Sequence, residues 1–540
     1  MQDYLRDQLV KGLKRKSLHK ESVWAERYRV MKHGPWRFEY HPWLEQMHND
    51  QSEVIVGQKA AQMGFSEWAI NKTFFWLDIL GEDVLYLLPN AKPDSSDFSV
   101  GRFEPALASS QHITDMFSDT KNIGMKKAGG AILYIRGSRS ESQLKSIPTG
   151  RIVYDEYDEM ANTVRALAQE RMSGQTTRQE LLISTPTIPD FGINQEYLAS
   201  DQKHFMFKCP ICNKWEELTY SSDEKSSIVI LGERFNDPEV ENSYLICKNT
   251  DKRLDHETKN IWLANNEWVP QQANTNISGY HVNQLYSTAA HPSKFAIAKL
   301  RADTNPAYAQ EFAKSKQGLP YIESGSRVTD AELKQCERGY HMVHQWQGGL
   351  TMMGVDVGTR LHFEVCEYTF TGSGVDVNNL TKSKVLKAGY VKDFEELDQL
   401  MAAFHIAHCV IDANPERRKA TEFAERHMGR VSLCYYIVGL SNANPIVIQP
   451  ELYAVKVDRT SWLDLTLSRF RNNSKTIPTD IHEEYRPHMK ALVRRYKIAD
   501  NGDISASYVN ANTADHLAHA ANYCEVALRV SCSTGTVQDI

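Results

Sequence analysis

Val54-Ile55-Val56-Gly57-Gln58-Lys59-Ala60-Ala61-Gln62-Met63-Gly64-Phe65-Ser66-Glu67 reads as a strand, a tight loop and the first turn of a helix. A phosphate-binding loop of the common form G-x-x-x-x-G-K-[ST] carries its lysine beside the second glycine. Here Gly64 and Ser66 stand where that glycine and the metal-binding hydroxyl belong, Phe65 replaces the lysine, and Lys59 lies at the opposite end of the loop. A lysine placed there still reaches the same anion, because both ends of such a loop curl around it. Backbone N–H groups and the helix N-terminus complete the cradle. Alone, the segment also describes a plain strand-turn-helix.

A second segment supplies the missing chemistry. Arg151-Ile152-Val153-Tyr154-Asp155-Glu156 is a short apolar strand that delivers two adjacent carboxylates at its end. In a P-loop ATPase the first acid, Asp155, orients the Mg²⁺ shell and the second, Glu156, polarises the attacking water. The bland alternative is an acidic turn, since Asp158 and Glu159 follow. A third segment, Leu181-Leu182-Ile183-Ser184-Thr185-Pro186-Thr187, is a buried strand ending in hydroxyls. Ser184 and Thr185 are candidates to sense the γ-phosphate and couple hydrolysis to movement. Short β-rich runs alternate with helical stretches through residues 41–205, the pattern of a mostly parallel α/β sheet of RecA/ASCE-like, P-loop type.

From Thr351 a second strand-rich block begins: TMMGVDVG, HFEVCEYTF and KSKVLKAGYV, then a helix, HCVIDANP, another helix, VSLCYYIVG and a closing helix around DHLAHAANYCEVAL. Asp356 lies within the first of these strands, Asp412 ends the fourth and Asp515 starts the last helix. A carboxylate inside an apolar strand is costly unless paired, protonated or bound to metal. Two strand aspartates and one on a C-terminal helix match an RNase H-like α/β nuclease, in which such acids hold two Mg²⁺ or Mn²⁺ ions about 4 Å apart. For Asp515 a helix N-cap is the simpler role, and the two are compatible. Between the blocks, Cys209-Pro-Ile-Cys212 is half of a zinc ribbon. Downstream only Cys247 is placed to join it, so a Zn²⁺ site would need Asp251 or His256 as its fourth ligand.

Composition narrows the class. Of the 540 residues, 41% are hydrophobic and 24% charged, as in ordinary globular proteins. No apolar run is long enough for a membrane helix, and the basic amphipathic opening MQDYLRDQLVKGLKRKSLHK is not a signal peptide. Nine mostly scattered cysteines fit a reducing cytoplasm. With a net charge of -6, contact with nucleic acid has to come from local basic patches. The candidates are the N-terminal arm, Arg417-Arg418-Lys419, and the run from Arg486 to Arg495.

Taken together, these segments resemble the large terminase subunit of lambda-type tailed phages over roughly residues 30–530. Lys59 to Ser66, Asp155-Glu156, Ser184 to Thr187, Gly279-Tyr280-His281-Val282-Asn283-Gln284-Leu285-Tyr286-Ser287, Gly318-Leu319-Pro320-Tyr321 and the three aspartates carry the likeness. The single Cys pair departs from it, since such proteins often show two. The resemblance implies an ATP-driven motor that moves double-stranded viral DNA into a procapsid and a nuclease that cuts concatemers, acting in the host cytoplasm. It implies several copies on the portal, a small terminase subunit as recruiter, and a neighbouring or in-chain arginine at the γ-phosphate, with Arg139 and Arg151 as candidates. The organisation expected is a basic arm (1–40), a P-loop ATPase domain (41–205), a Cys-containing insertion and linker (206–345), an RNase H-like nuclease domain (346–530) and a tail (531–540). Rival readings are a helicase or repair translocase with an accessory nuclease, a transposase-type nuclease with a regulatory N-terminal block, and a non-enzymatic capsid or portal component.

Overall fold

In the computed structural model the chain divides into two compact units, Met1–Tyr321 and Ile322–Ile540. The structure describes residues 20–533 except 120, 121, 123, 140–143, 145, 146, 162, 223, 274, 324, 373–377, 438, 439, 441–444, 500, 511 and 512. Residues 1–19 of the basic arm therefore lie outside the described residues.

The first unit is built on a large sheet whose parallel core consists of β1 (Val54–Lys59), β2 (Val84–Leu88), β3 (Ala131–Gly137), β4 (Arg151–Asp155), β5 (Gln179–Ser184), β6 (Lys203–Lys208) and one later strand, Ile277–Val282. Helix α1 (Phe65–Phe75) follows β1 and helix α2 (Gly192–Leu198) follows β5. Across the sheet the order is β6, Ile277–Val282, β1, β5, β4, β2, β3, so one strand separates the loop strand β1 from the acidic strand β4. Strands β1, β2, β4 and β5 are buried along nearly their whole length because both faces are covered. On β4, Val153 joins the core that packs under α1, whereas Ile152 and Tyr154 join the core on the opposite face. The sheet does not stop near residue 205. Strands β6 and Ile277–Val282 extend it from the 206–345 side, their register fixed by pairing with each other and with β1. A short strand β7 (Trp215–Glu216) pairs antiparallel with β6. Beyond it, β8 (Ile228–Val229), β9 (Tyr244–Ile246) and β10 (Arg253–Leu254) form a separate three-stranded sheet. The late strand Ile277–Val282 is designated β11.

The second unit has the RNase H-like arrangement. Strands β12 (Leu350–Val357), β13 (Leu361–Phe370) and β14 (Thr381–Val391) form an antiparallel meander. Strand β15 (His408–Asp412) pairs parallel to β12 on its other side, followed by β16 (Val431–Ile437) and β17 (Ala454–Asp458). Helices α3 (Phe394–Ala403) and α4 (Arg417–Arg426) contribute Leu397 and Phe423 to the core on one face. Helices α5 (Arg459–Arg471), α6 (Tyr485–Ala491) and α7 (His516–Ser533) contribute to the core on the other. Among the described residues no helix is long and apolar enough to cross a membrane.

Candidate functional site

Strand β1 ends on Lys59, and the loop after it turns at Gly64, whose left-handed backbone (φ +82°) caps α1. Only glycine adopts that conformation without steric cost. Phe65, standing in the usual lysine position, is a core residue: its ring packs so closely on Gly57 that a Cβ there would fall 2.8 Å from it. The relocated lysine is thus matched by an aromatic wedge that joins the helix to the strand. Strand β4 delivers the acids, which diverge in environment. Asp155 is buried, accepting from the Tyr86 hydroxyl at 2.7 Å and from Ser66 Oγ at 3.3 Å. Burial and the adjacent Glu156 push its pKa up to about 6 against the pull of Lys59. Glu156 is partly exposed and meets Lys59 Nζ at 3.0 Å. Lys59, Gly64, Ser66, Arg102, Glu156 and Thr185 line one cavity of about 330 Å³. Its far wall comes from residues 311–315, fastened where the Ala61 amide donates to the Ser315 carbonyl at 2.9 Å. Gly318 (φ +65°) lies flat against the Lys59–Ala60 backbone, and Gln58 Nε2 donates to its carbonyl at 2.8 Å.

The hydroxyl segment divides in two. Thr185 lines the cavity, whereas Ser184 is fully buried and its Oγ accepts from the Asp158 amide at 3.2 Å. Asp158 in turn accepts from Thr187 N and Oγ1, both at 2.8 Å, and from Ile193 N at the start of α2. The arginines separate as well. Arg151 sits at the far end of β4 from Asp155, tied to Glu82 at 2.5 Å and Gln179 at 3.0 Å. It is a structural cation, and as a candidate for the γ-phosphate it is corrected by this placement. Arg139 is exposed on a second cavity of about 620 Å³, which it shares with Glu156 and Arg102. Arg102 lines both cavities and is 3.2 Å from Glu67. Its sequence surroundings are not distinctive, so only the fold singles it out.

In the second unit, the register that sets Val355 beside Ile411 carries Asp356 and Asp412 to the same end of adjacent strands. Burial and the nearby Asp356 charge raise the Asp412 pKa. Asp515 immediately precedes α7, where its carbonyl accepts from Ala518 and His519 amides. Burial would raise its carboxyl, but hydrogen bonds from His519 and Asn510 outweigh this and hold it near 2. His516, the next residue, meets the Asp356 carboxylate at 2.9 Å through Nδ1 and stacks on His362 with ring centres 4.6 Å apart. This histidine is a further element of the site that strand patterning did not mark.

The basic segments are largely spoken for. Arg418 and Lys419 pair within and beside α4 with Glu422 and Glu416. Arg486, Lys490 and Arg494 pair with Glu337, Asp330 and Asp464. The thiols of Cys209, Cys212 and Cys247 converge, but neither expected fourth ligand joins them. Asp251 pairs with Lys225 at 2.5 Å, and the His256 ring lies against His291. Glu216 occupies the fourth position instead, because β7 turns back along β6 directly after the Cys-x-x-Cys loop.

Residues 31–268 match the model of the phage terminase large subunit gpA ATPase domain. The large terminase of bacteriophage HK97 is similar in structure, with 9% identity, TM-score 0.51, and 94% of this chain and 99% of that chain covered. A second large terminase, from a thermophilic bacteriophage, aligns at 10% identity and TM-score 0.31, over 91% of this chain and 98% of that one. A magnesium-bound large terminase nuclease from thermophilic phage G20c aligns at 12% identity and TM-score 0.25, over 38% of this chain and 98% of that one. No curated protein matches the sequence. A P-loop-type α/β ATPase domain followed by an RNase H-like α/β unit is the class that fold and site define. Residues 31–268 of its first unit match a terminase ATPase domain, and the whole chain is similar in fold to a phage large terminase.

Proposed function

We propose that this chain is a DNA-packaging motor that hydrolyses ATP in its first unit and cuts DNA in its second. The supporting observation is the convergence of Lys59, Ser66, Asp155 and Glu156 on one cavity, with Asp356 and Asp412 abreast on a separate sheet. In this reading Lys59, the loop amides and the N-terminus of α1 bind the phosphates. Ser66 and Asp155 hold the Mg²⁺ of the nucleotide, and Glu156, released from Lys59 when phosphate takes its place, orients the attacking water. Thr185 contacts the γ-phosphate, while Ser184 acts behind it through Asp158. Arg102 or Arg139 is the in-chain arginine. Residues 41–205, with β6 and β11 completing their sheet, form the ATPase core, and 346–530 the nuclease, where Asp356, Asp412 and Asp515 would hold Mg²⁺ or Mn²⁺. A divalent metal held there would supply Lewis acidity to the scissile phosphate. His516 positions Asp356 through its 2.9 Å contact. Double-stranded viral DNA, a small terminase subunit and the portal are the partners, met as a homo-oligomer in the host cytoplasm.

The test uses the full chain, wild type beside Glu156→Gln and Asp412→Asn. Glu156→Gln should still bind ATP and turn it over about 100-fold more slowly or worse. Asp412→Asn should lose Mg²⁺- or Mn²⁺-dependent cutting of plasmid DNA. Unchanged turnover in the first variant sinks the ATPase assignment, and retained cutting in the second sinks the nuclease assignment.

A further inference from the structure

We propose that Cys209, Cys212, Cys247 and Glu216 hold one structural zinc ion. Their four donor atoms all lie within 4.8 Å of one another, and all three cysteines are free thiols. Glu216 Oε1 is 2.9 Å from Cys247 Sγ and 3.1 Å from Cys212 Sγ. Asn249 Nδ2 donates to the same oxygen at 2.7 Å, and the Lys248 amide donates to Oε2 at 3.1 Å. These last two donors hold the carboxylate in place behind the site, the role outer-shell groups play around metals.

The backbone carries an independent sign of a metal ligand set. The Cys209 amide donates to the Lys214 carbonyl at 2.8 Å, and the Asn213 amide donates back to the Cys209 carbonyl at 2.9 Å. The same pair of bonds recurs at Cys247, from its amide to the Lys252 carbonyl at 3.0 Å and from the Asp251 amide to its own carbonyl at 2.9 Å. Asn213 and Asp251, each four residues after its cysteine, have matching left-handed backbones with φ +59° and +60°. Two turns of one geometry thus face each other. In the second, the place equivalent to Cys212 is the exposed Thr250. A tetrahedral zinc needs a fourth ligand, and Glu216 is the acid that reaches the vacant corner.

Zinc binding releases the three thiol protons, and the ion replaces the thiol-to-carboxylate hydrogen bonds with direct bonds to both partners. Cys209 follows β6 of the large sheet and Cys247 follows β9 of the three-stranded sheet. The metal therefore clasps that small sheet to the edge of the ATPase sheet.

Zinc bound to the purified full chain is measured by elemental analysis, followed by the rate of its transfer to a chromophoric chelator. The wild type should carry one zinc per chain, and Glu216→Ala should release it at least about tenfold faster. Glu216→Cys should keep the metal, and its Co²⁺-substituted form should show thiolate charge-transfer absorption stronger by about a third, as four thiolates replace three. A folded wild-type chain that takes up no zinc overturns the site. Unaltered release from Glu216→Ala, or an unaltered Co²⁺ band in Glu216→Cys, overturns Glu216 as the fourth ligand.

Discussion

Glu156 carries its side chain on a left-handed backbone, with φ +61° and ψ +52°. For a residue with a Cβ this conformation costs roughly 1–2 kcal/mol, and it turns the carboxylate away from the buried Asp155 and toward Lys59. Glu156→Gly should relieve that strain, partly offset by the added freedom of the unfolded chain. The expected outcome is a melting temperature equal to or above wild type with ATP turnover lost. A drop of several degrees would show instead that the Lys59 ion pair outweighs the strain. His48 is a second residue whose environment dictates one protonation state. Its Nδ1 donates to the Leu44 carbonyl at 2.7 Å, and Arg29 fixes the Asn71 amide so that Asn71 Nδ2 donates to His48 Nε2 at 3.2 Å. The ring is fully buried, which holds its pKa down to about 3. Because the folded pKa lies below the unfolded value, the unfolded chain binds more protons between pH 6.5 and about 3. Stability from this site is present above that window and lost as pH falls through it. Denaturant unfolding at pH 7.5 and 5.5 should show a smaller pH-dependent loss in His48→Gln than in wild type.

At the scale of elements, the proposed nuclease site depends on how closely α7 lies on β12. A Cβ at Gly354 would fall onto the Ala520 carbonyl oxygen and the Cys524 amide of α7. Only a glycine strand position permits this backbone approach. It seats the start of α7, with Asp515 and His516, against the end of β12 that carries Asp356. Gly354→Ala must push the helix outward, at a cost of about 1–3 kcal/mol. We expect metal-dependent cutting to fall well before helical circular dichroism does. A variant that cuts at the wild-type rate would show that the helix is not what positions the site. Next to β12, strand β13 is held by another device, a fully buried Lys475–Glu364 pair at 2.5 Å that Tyr485 completes at 2.6 Å. Such a pair is strongly destabilising to break on one side.

For the whole molecule, the two candidate centres stand on separate sheets with separate cores. Asp356→Asn should therefore abolish DNA cutting while leaving ATP turnover within about twofold of wild type, because mutations without shared partners act independently. Loss of both activities from this single change would mean that the second unit's acids serve folding or coupling across the chain. The net charge is -6, and many basic side chains of the Arg417–Lys419 and Arg486–Arg495 segments are paired with acids, which offsets their pull on a phosphate backbone.

Strands, their order along the chain and the acids at their ends were legible in the sequence because they are local patterns. An apolar run ending in Asp155-Glu156 or in Asp412 is written in consecutive residues, and so is the Lys59-to-Ser66 loop. The spacing of these runs was enough to separate a parallel ATPase sheet from an RNase H-like one. Residues 203–282 were less legible, since β6 and β11 are strands only by virtue of the neighbours they pair with. Arg102, Asp158 and His516, and Glu216 in its contact with Cys247, reach their partners through contacts that span between 26 and 160 positions or through a shared cavity, which no local periodicity records. Local hydrogen bonding and hydrophobic alternation determined which segments became strands and where their acids fell. Long-range packing alone decided which side chains meet there.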